Sequence, residues 1–353
     1  MKDILEGWEP QPLEEKIAIQ IKKNWDAVAK PLDSMGSFEE LICRIGAILQ
    51  TTEPDIKKRG VIVCCGDNGV VEEGVSQSGQ EVTAKVAAGM GKNSTSVGKM
   101  AQHAGVEMIP IDLGINSTES FPGVRNCKIA YGTKNFAKEP AMTKEQTEQA
   151  IATGMSLVKE CKEQGFGMLG TGEMGIGNTT TSTAVAAALL HIDAEEITGK
   201  GAGLSELGLQ RKREVISQAI AKYDLYKADP LTVLQTVGGF DLAGLTGVFL
   251  GGAKYHMPIV CDGVISLAAA LVAERLKPGT RAYMIASHGS KEPATSYLLE
   301  ALALAPVIDA HMALGEGTGA VMMFSLLDLV LCVYNQNRTF ADLKMDAYQR
   351  FSS

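Results

Sequence analysis

The chain has 353 residues, of which 45% are hydrophobic and 38 are glycine, and its formal net charge at pH 7 is −8. This composition excludes a disordered or fibrous chain and predicts an α/β enzyme with a large core. Because no long basic run is present, nucleic acid is not an expected partner.

The sequence predicts neither a secreted nor a membrane protein. Residues 1–16 are acidic and lack the apolar run of a signal peptide. The longest apolar run, residues 320–333, is too short to cross a bilayer and contains Ser325 and Asp328, so a buried helix is predicted there. The seven cysteines are scattered and never spaced C-x-x-C. They predict reduced core cysteines in a cytoplasmic protein, with no metal site.

Strands and helices alternate along most of the chain. Two helices are predicted first, over residues 11–30 and 37–49. An apolar run without alternation, residues 61–65, then predicts a strand covered on both faces. The pattern recurs downstream, with strands predicted over 106–114, 165–174, 257–264 and 281–290, and helical segments over 80–104, 143–163, 179–190, 206–223, 230–236 and 265–276.

This alternation predicts an α/β fold with a Rossmann-like, mostly parallel sheet and helices on both faces. Ligands bind such sheets beyond the carboxyl ends of the strands. The two terminal segments have no predicted strand. They predict a small helical domain made of residues 1–50 with 325–353, beside a large α/β catalytic domain of residues 51–324.

The stretch "GTGEMGIGNTTTSTAV", residues 170–185, matches two nucleotide-binding motifs incompletely. Its G-x-G-x-x-G spacing is typical of dinucleotide binding and keeps a nucleotide-dependent oxidoreductase as an alternative. However, Glu173 inside the loop would repel a pyrophosphate. Its second spacing is that of a phosphate loop, but Asn178 stands where the lysine that neutralises phosphate charge should be.

A loop without that lysine suits a single phosphate group. Backbone N–H groups of residues 175–179, the hydroxyls of Thr179 and Thr180 and the dipole of the following helix could hold a monophosphate. Glu173 could then accept hydrogen bonds from sugar hydroxyls, which indicates a nucleoside monophosphate. The plainer interpretation is a tight strand-to-helix turn whose glycines serve only packing.

A second glycine cluster, "ALGEGTGAV" at residues 313–321, surrounds Glu316 in the same way. Glycine neighbours let a substrate approach the backbone closely. A partly desolvated carboxylate next to other acids has a raised pKa and can act as a general base. The alternative is an exposed loop glutamate that caps the helix after it.

Six stretches resemble the nicotinate-nucleotide–dimethylbenzimidazole phosphoribosyltransferase family of cobamide (vitamin B12) synthesis. In this chain they are "GDNGVVEEGVSQSGQEVT" (66–83), "GEMGIGNTTTSTAV" (172–185), "GLQRKREVI" (208–216), "DGVISLAAALVA" (262–273), "SHGSKEPA" (287–294) and "LGEGTGA" (314–320). The resemblance implies transfer of the 5-phosphoribosyl group of nicotinate mononucleotide to 5,6-dimethylbenzimidazole or a related aromatic base. The products are nicotinate and an α-riboside 5′-phosphate, and no cofactor is required.

The resemblance also implies roles for individual residues. Glu316 is the base that takes the proton of the incoming heterocycle. The implied donor-binding residues are Glu173, Gly175, Ile176, Gly177, Asn178, Thr179, Thr180, Lys212 and Ser290. The implied residues of the acceptor-base pocket are Ser76, Gln80 and Leu314. Homodimers are the habit of the family, so a homodimer is expected.

Several alternatives stay open at this point. In "RKRE", Lys212 would by itself be read as a residue of a solvated helix face, and Asp262 is interpreted as the cap of the helix that follows it. A catalytically inactive subunit of a paired phosphoribosyltransferase is a further alternative. The family usually has histidine at the position of Asn68 and proline at that of Gly79, so adenine, a substituted benzimidazole and a phenol all remain candidate acceptors.

Overall fold

The computed structural model describes residues 2–351 and has six parallel strands at its centre. In chain order they are β1 (Arg59–Gly66), β2 (Glu107–Gly114), β3 (Arg125–Asn126), β4 (Met168–Met174), β5 (Ile259–Cys261) and β6 (Met284–Ala286). Their order across the sheet is β3-β2-β1-β4-β5-β6, so the winding reverses between β1 and β4. This doubly wound order confirms the predicted Rossmann-like sheet.

Fourteen helices are present in the described residues. They are α1 (Lys2–Leu5), α2 (Glu15–Ala27), α3 (Ser37–Leu49), α4 (Glu81–Met90), α5 (Ser96–Ala104), α6 (Lys144–Glu163), α7 (Asn178–Leu190), α8 (Ala194–Ile197), α9 (Glu206–Lys222), α10 (Pro230–Val237), α11 (Phe240–Lys254), α12 (Val264–Leu276), α13 (Ala294–Leu302) and α14 (Thr318–Gln336). Short 3₁₀ turns cover Gly69–Glu73, Leu225–Lys227 and Thr280–Tyr283.

The segment predicted as one strand over 281–290 is divided between two sheets. Its first part is β6, at the edge of the main sheet. Its second part, β7 (His288–Ser290), turns away and pairs in parallel with β8 (Ile308–Met312). This second sheet carries Ser290 beyond the carboxyl edge of the main sheet.

Alternate residues of the central strands point into two separate hydrophobic cores, one on each face of the sheet. Ile62 and Cys64 of β1 point to the face covered by α6, α7 and α11, whereas Val61 and Val63 point to the face covered by α2, α3, α5 and α14. This period of two explains why the strand sequence is apolar throughout.

The two ends of the chain meet on the second face. Val28 and Thr339 form an antiparallel bridge, and the N–H of Phe340 donates to the carbonyl of Ala27 at 3.0 Å. Arg350 pairs with Asp26. The division into domains 1–50 with 325–353 and 51–324 stays a prediction.

By length and composition alone, the helix α14 could cross a membrane. However, half of its most apolar stretch of 18 residues is buried in the protein. Arg59 at the start of β1 fixes this helix to the sheet. Its guanidinium donates two hydrogen bonds to the carboxylate of Asp328, each of 2.5 Å. The buried helix predicted there is therefore buried along one side only, with Leu329 exposed.

Helices α6 and α11 cross with their backbones in contact, and glycine permits this approach. A Cβ placed on Gly247 would overlap the carbonyl oxygen of Ile151, and one on Gly154 would overlap that of Gly244. No side chain can move aside to relieve such a clash, because the obstructing atoms belong to the backbone.

We therefore expect Gly247→Ala to lower the free energy of unfolding by about 1–3 kcal/mol, the usual effect of overpacking a well-packed core. Thermal or urea unfolding measures the change. Gly289→Ala is the matched control, since a Cβ there has open space around it. Equal stabilities for the two variants would contradict the close helix crossing.

Candidate functional site

One cleft of about 330 Å³ opens at the carboxyl edge of the main sheet, where the winding reverses. Glu173, at the end of β4, and Glu316, in the loop before α14, both line it. The two glycine-flanked acids singled out in the sequence therefore share one cavity.

Close backbone contact brings these two acids together. A Cβ on Gly172 would lie 2.6 Å from the carbonyl oxygen of Glu316, and one on Gly315 would lie 2.5 Å from Oε1 of Glu173. Gly315 and Gly317 have φ angles of 78° and 93°, in the left-handed region that glycine adopts readily. The glycines are thus required by the contact between β4 and this loop.

Asn178 occupies the lysine position of a phosphate loop and binds carboxylates instead. Its side-chain N–H₂ group donates one hydrogen bond to Oε2 of Glu173 and another, of 3.0 Å, to Oδ2 of Asp241. A lysine at this position would place its charge on these acids. The amide holds both carboxyl groups and leaves their protonation free to change.

Burial sets the protonation of this pair. Desolvation, and then the neighbouring charge of Asp241, raise the pKa of Glu173 to about 8. Desolvation raises the pKa of Asp241 to about 7, against the hydrogen bond from Asn178. Both groups are fully buried or nearly so, so their mutual repulsion is poorly screened.

The sequence suggested that Asp262 caps the helix that follows it, but Asp262 does not cap this helix. The N-cap position of α12 is Gly263, and it has no side-chain cap. The Asp262 carboxylate instead accepts the N–H groups of Gly317 at 3.0 Å and Gly319 at 2.7 Å. It is nearly inaccessible, and burial raises its pKa.

Glu316 is neither exposed nor a helix cap. Its Oε2 atom is buried and has no hydrogen-bond partner among the described residues. Desolvation first, and then the charge of Asp262, raise the pKa of this carboxyl group. A carboxylate that lacks a partner and has a raised pKa is suited to accept a proton from a ligand.

Lys212 lies on the buried side of α9 with no exposed surface, so the interpretation as a solvated helix face is wrong. Its Nζ donates to Oγ1 of Thr179 at 3.0 Å and to the carbonyl of Gly199 at 3.2 Å. Burial lowers its pKa to about 8. The spacing from Leu209 to Lys212 to Val215 places this lysine on the apolar stripe, a signal that could have been read from the sequence.

The loop before α7 places its residues at different depths. Gly175, Ile176, Asn178 and Thr179 line the cleft. Gly177, with φ of 94°, lines an adjoining cavity of about 70 Å³. Thr180 is fully buried behind the loop, and its hydroxyl has no partner among the described residues.

The predicted acceptor residues are spread more widely. Leu314 lies on the edge of the cleft with 52% of its surface exposed. Ser76 lines the small adjoining cavity. Gln80 lies outside both: it donates to the carbonyl of Asn68 at 3.2 Å, accepts from Asn116 at 3.0 Å and lines a separate cavity.

An apolar wall completes the cleft, and only Leu314 in it was predicted from the sequence. It consists of Val82 and Val86 on α4 with Met174 and Leu314. The spacing of four between Val82 and Val86 was the available signal, because it places both on one side of a helix. Asp241 was also missed, because it lies in an apolar segment without a motif. Within residues 2–351, no group of three or more His, Cys, Asp or Glu side chains could hold a metal ion.

A family model described as phosphoribosyltransferase matches residues 10–344 of the chain. Among curated proteins, the chain is 44% identical to the nicotinate-nucleotide–dimethylbenzimidazole phosphoribosyltransferase of Ruminiclostridium cellulolyticum, with 93% of each sequence covered. It is 40% identical to the enzyme of the same name from Clostridium acetobutylicum, with 96% of each covered.

A solved structure agrees with these sequence relatives. The crystal structure of CobT from Thermus thermophilus superposes with a TM-score of 0.88 and 35% identity. The match covers 94% of this chain and 99% of that one.

The raised pKa of Glu173 predicts how the stability of the protein depends on pH. A carboxyl group whose folded pKa lies above its unfolded value binds its proton more tightly in the folded state, so stability falls as pH rises from about 4.5 to about 8. We expect Glu173→Gln to remove this penalty. Its melting temperature should exceed that of the unmodified protein by more at pH 8 than at pH 5.

Thermal unfolding at the two pH values measures this difference. Glu300→Gln, on the exposed surface of α13, serves as the control and should show no such pH dependence. An equal shift of Glu173→Gln at both pH values would contradict the raised pKa.

Proposed function

The chain belongs to the nicotinate-nucleotide–dimethylbenzimidazole phosphoribosyltransferase family, and we propose that the cleft described above is where it carries out the reaction of that family. It transfers the 5-phosphoribosyl group of nicotinate mononucleotide to 5,6-dimethylbenzimidazole or a related aromatic base. The products are nicotinate and an α-riboside 5′-phosphate, the nucleotide precursor of the cobamide loop.

The acidity of the cleft floor is the observation that supports this assignment best. The negative charges of Asp241, Asp262 and Glu316 all raise the pKa of Glu173, and the charge of Asp262 also raises the pKa of Glu316. The pyridinium ring of nicotinate mononucleotide is a cation, and positive charge also develops at C1′ as it leaves. A ligand with this positive charge reduces the repulsion among the carboxylates. The reduction is largest in the state in which the positive charge of the ligand is greatest.

The donor's phosphate fits the opposite end of the cleft. There α7 begins at Asn178 with the positive end of its dipole at the cleft, and the N–H groups of Asn178 and Thr180 donate to the carbonyls of Gly175 and Gly177. Lys212 lies behind the hydroxyl of Thr179. Ser290 lines the same cavity. One ammonium and one helix N-terminus, with the carboxylate of Glu292 beside Lys212, offer enough positive charge for a single phosphate group at most. We assign this region to the phosphate and Glu173 to the ribose hydroxyls.

The chemical step then needs one general base. The attacking ring nitrogen forms a bond to C1′ while the bond from C1′ to the pyridinium nitrogen breaks, and its electron pair returns to the departing nicotinate. The N–H proton of the incoming base passes to Glu316. Because the leaving group departs without needing a proton, no general acid is required. Attack on the face opposite the leaving group converts the β linkage into an α linkage.

The acceptor base is assigned to the apolar side of the cleft. Val82, Val86 and Met174 offer an apolar surface for an aromatic ring in the cleft that Glu316 also lines. We propose that Leu314 contacts this ring, and that Ser76 and Gln80 shape the surrounding loop. Their side chains point to neighbouring cavities, so their influence on the base is through the backbone of residues 76–80.

A homodimer in the cytoplasm is part of the same proposal. Closed two-fold dimers are the commonest symmetric assembly, and α14 presents Met322 and Leu329 to solvent, with 41% and 68% of their surfaces exposed. All seven cysteines are free, which suits a reducing compartment.

We expect Glu316→Gln to lower kcat about a hundredfold or more, the usual effect of losing a positioned general base. Nicotinate release from nicotinate mononucleotide, in the presence of 5,6-dimethylbenzimidazole, measures the rate. Glu300→Gln is the matched control and should retain full activity, because this residue is exposed on α13. Full activity of Glu316→Gln would remove the proposed base.

We expect Lys212→Met to raise the KM for nicotinate mononucleotide and to abolish the preference for the nucleotide over nicotinate riboside. The variant should be at least as stable as the unmodified protein below about pH 8, because it removes a buried charge whose pKa is lowered. Lys222→Met, on the exposed end of the same helix, is the control. An unchanged preference for the nucleotide would contradict the phosphate site.

A further inference from the structure

The loop that carries Glu316 has a backbone that side chains other than glycine rarely adopt. Three consecutive residues, Gly315, Glu316 and Gly317, have φ angles of 78°, 62° and 93°. Glycine tolerates these values, but Glu316 lies in the left-handed region at a cost. Such a conformation persists only where surrounding contacts determine it.

Asp262 provides those contacts from a different part of the chain. Its carboxylate is 2% exposed. Oδ2 accepts the N–H of Gly317 at 3.0 Å, and Oδ1 accepts the N–H of Gly319 at 2.7 Å. Both oxygens are therefore bonded to the end of the loop and the first turn of α14. On the other side, the hydroxyl of Thr318 closes the loop by donating to the carbonyl of Gly315 at 2.9 Å.

His288 packs against the same turn. A side chain on Gly319 would overlap its imidazole ring. The hydroxyl of Ser287 donates to the carbonyl of Cys261 at 2.6 Å and therefore accepts from Nδ1 of His288 at 3.0 Å. This arrangement orients the ring, and positive charge on it favours the ionised form of Asp262.

We propose that Asp262 is the positioning residue of the general base: its carboxylate fixes the loop at residues 315–319 so that Glu316 lines the cleft. The proposal rests on the proposed function of Glu316. Asp262 acts through the two backbone N–H groups, which only a correctly placed acceptor pair can hold together.

Asp262 has two separable effects on Glu316. One is geometric and depends on both of its oxygens as acceptors. The other is electrostatic, because its negative charge raises the pKa of Glu316. The ionisable groups that face these two acids from the surrounding elements are Cys65, Glu173, Cys261 and His288.

Two variants separate these effects. Asp262→Asn loses the charge and cannot accept both N–H groups, whereas Asp262→Glu keeps the charge but misplaces the oxygens. We expect both to slow the single-turnover rate about tenfold to a hundredfold, the effect of displacing a catalytic group by about 1 Å. The KM for nicotinate mononucleotide should change little.

The pH profile distinguishes the variants from each other. The rate falls on the acid side as Glu316 becomes protonated. Asp262→Asn removes a negative charge and lowers the pKa of Glu316, so its acid limb should move to lower pH. Asp262→Glu should keep the acid limb where the unmodified enzyme has it. A rate and an acid limb unchanged in Asp262→Asn would overturn the proposal.

A double-mutant cycle tests whether Asp262 acts through Glu316. In a Glu316→Gln background, Asp262→Asn should have almost no further effect on the rate. A full additional loss would show that Asp262 acts on the substrate directly and would overturn the positioning role. Full activity of Glu316→Gln alone would instead refute the proposed base, so the two failures are distinguishable.

Amide hydrogen exchange on the unmodified protein tests the clamp without any substitution. The N–H groups of Gly317 and Gly319 should be strongly protected at pH 7. Their protection should survive the addition of 5,6-dimethylbenzimidazole, which approaches from the cleft side. Exchange as fast as that of a free loop would overturn the proposal, even if the Asp262 variants fail to fold.

Discussion

Backbone contact between β4 and the loop at residues 315–317 is the constraint on which the cleft depends. Gly172 in the strand and Gly317 in the loop leave room for it, since a Cβ on either would collide with neighbouring atoms at this contact. The contact lies where the sheet reverses its winding, and both acids line the cavity that opens there. Without these glycines the loop would stand off from the strand, and Glu173 and Glu316 could not face a common ligand.

The second organising feature is that two residues, Asn178 and Lys212, stand in place of the single lysine of a phosphate loop. Asn178 takes the lysine's position in sequence and joins Glu173 to Asp241, while Lys212 brings the ammonium from α9 to the hydroxyl of Thr179. The carboxylate pair and the ammonium are therefore carried by separate elements. This arrangement keeps the positive charge of the lysine away from the acids, which would otherwise pair with it.

The sequence predicts the parts of this structure that depend on local pattern. Apolar runs predicted β1, β2 and β4, and glycine loops predicted both acids of the cleft. Helix α11 was missed, because burial on all sides leaves it no polar face to mark its period. The partners of Asp262 could not be predicted, since they lie 55 and 57 positions away in the chain. The spacing of Lys212 from Leu209 and Val215 indicated that this lysine is buried. Its charged neighbours in "RKRE" instead favoured the prediction of a solvated helix face.

The placement of the Lys212 ammonium behind Thr179 affects which cellular nucleotides compete with the donor for the cleft. No lysine or arginine is among the described residues that line the cleft, whereas the carboxylates of Glu173, Asp262, Glu292 and Glu316 do line it. A triphosphate brings several negative charges that this lining does not neutralise. ATP and GTP, which share the ribose and phosphate of the donor, are therefore expected to be poor competitors for the cleft.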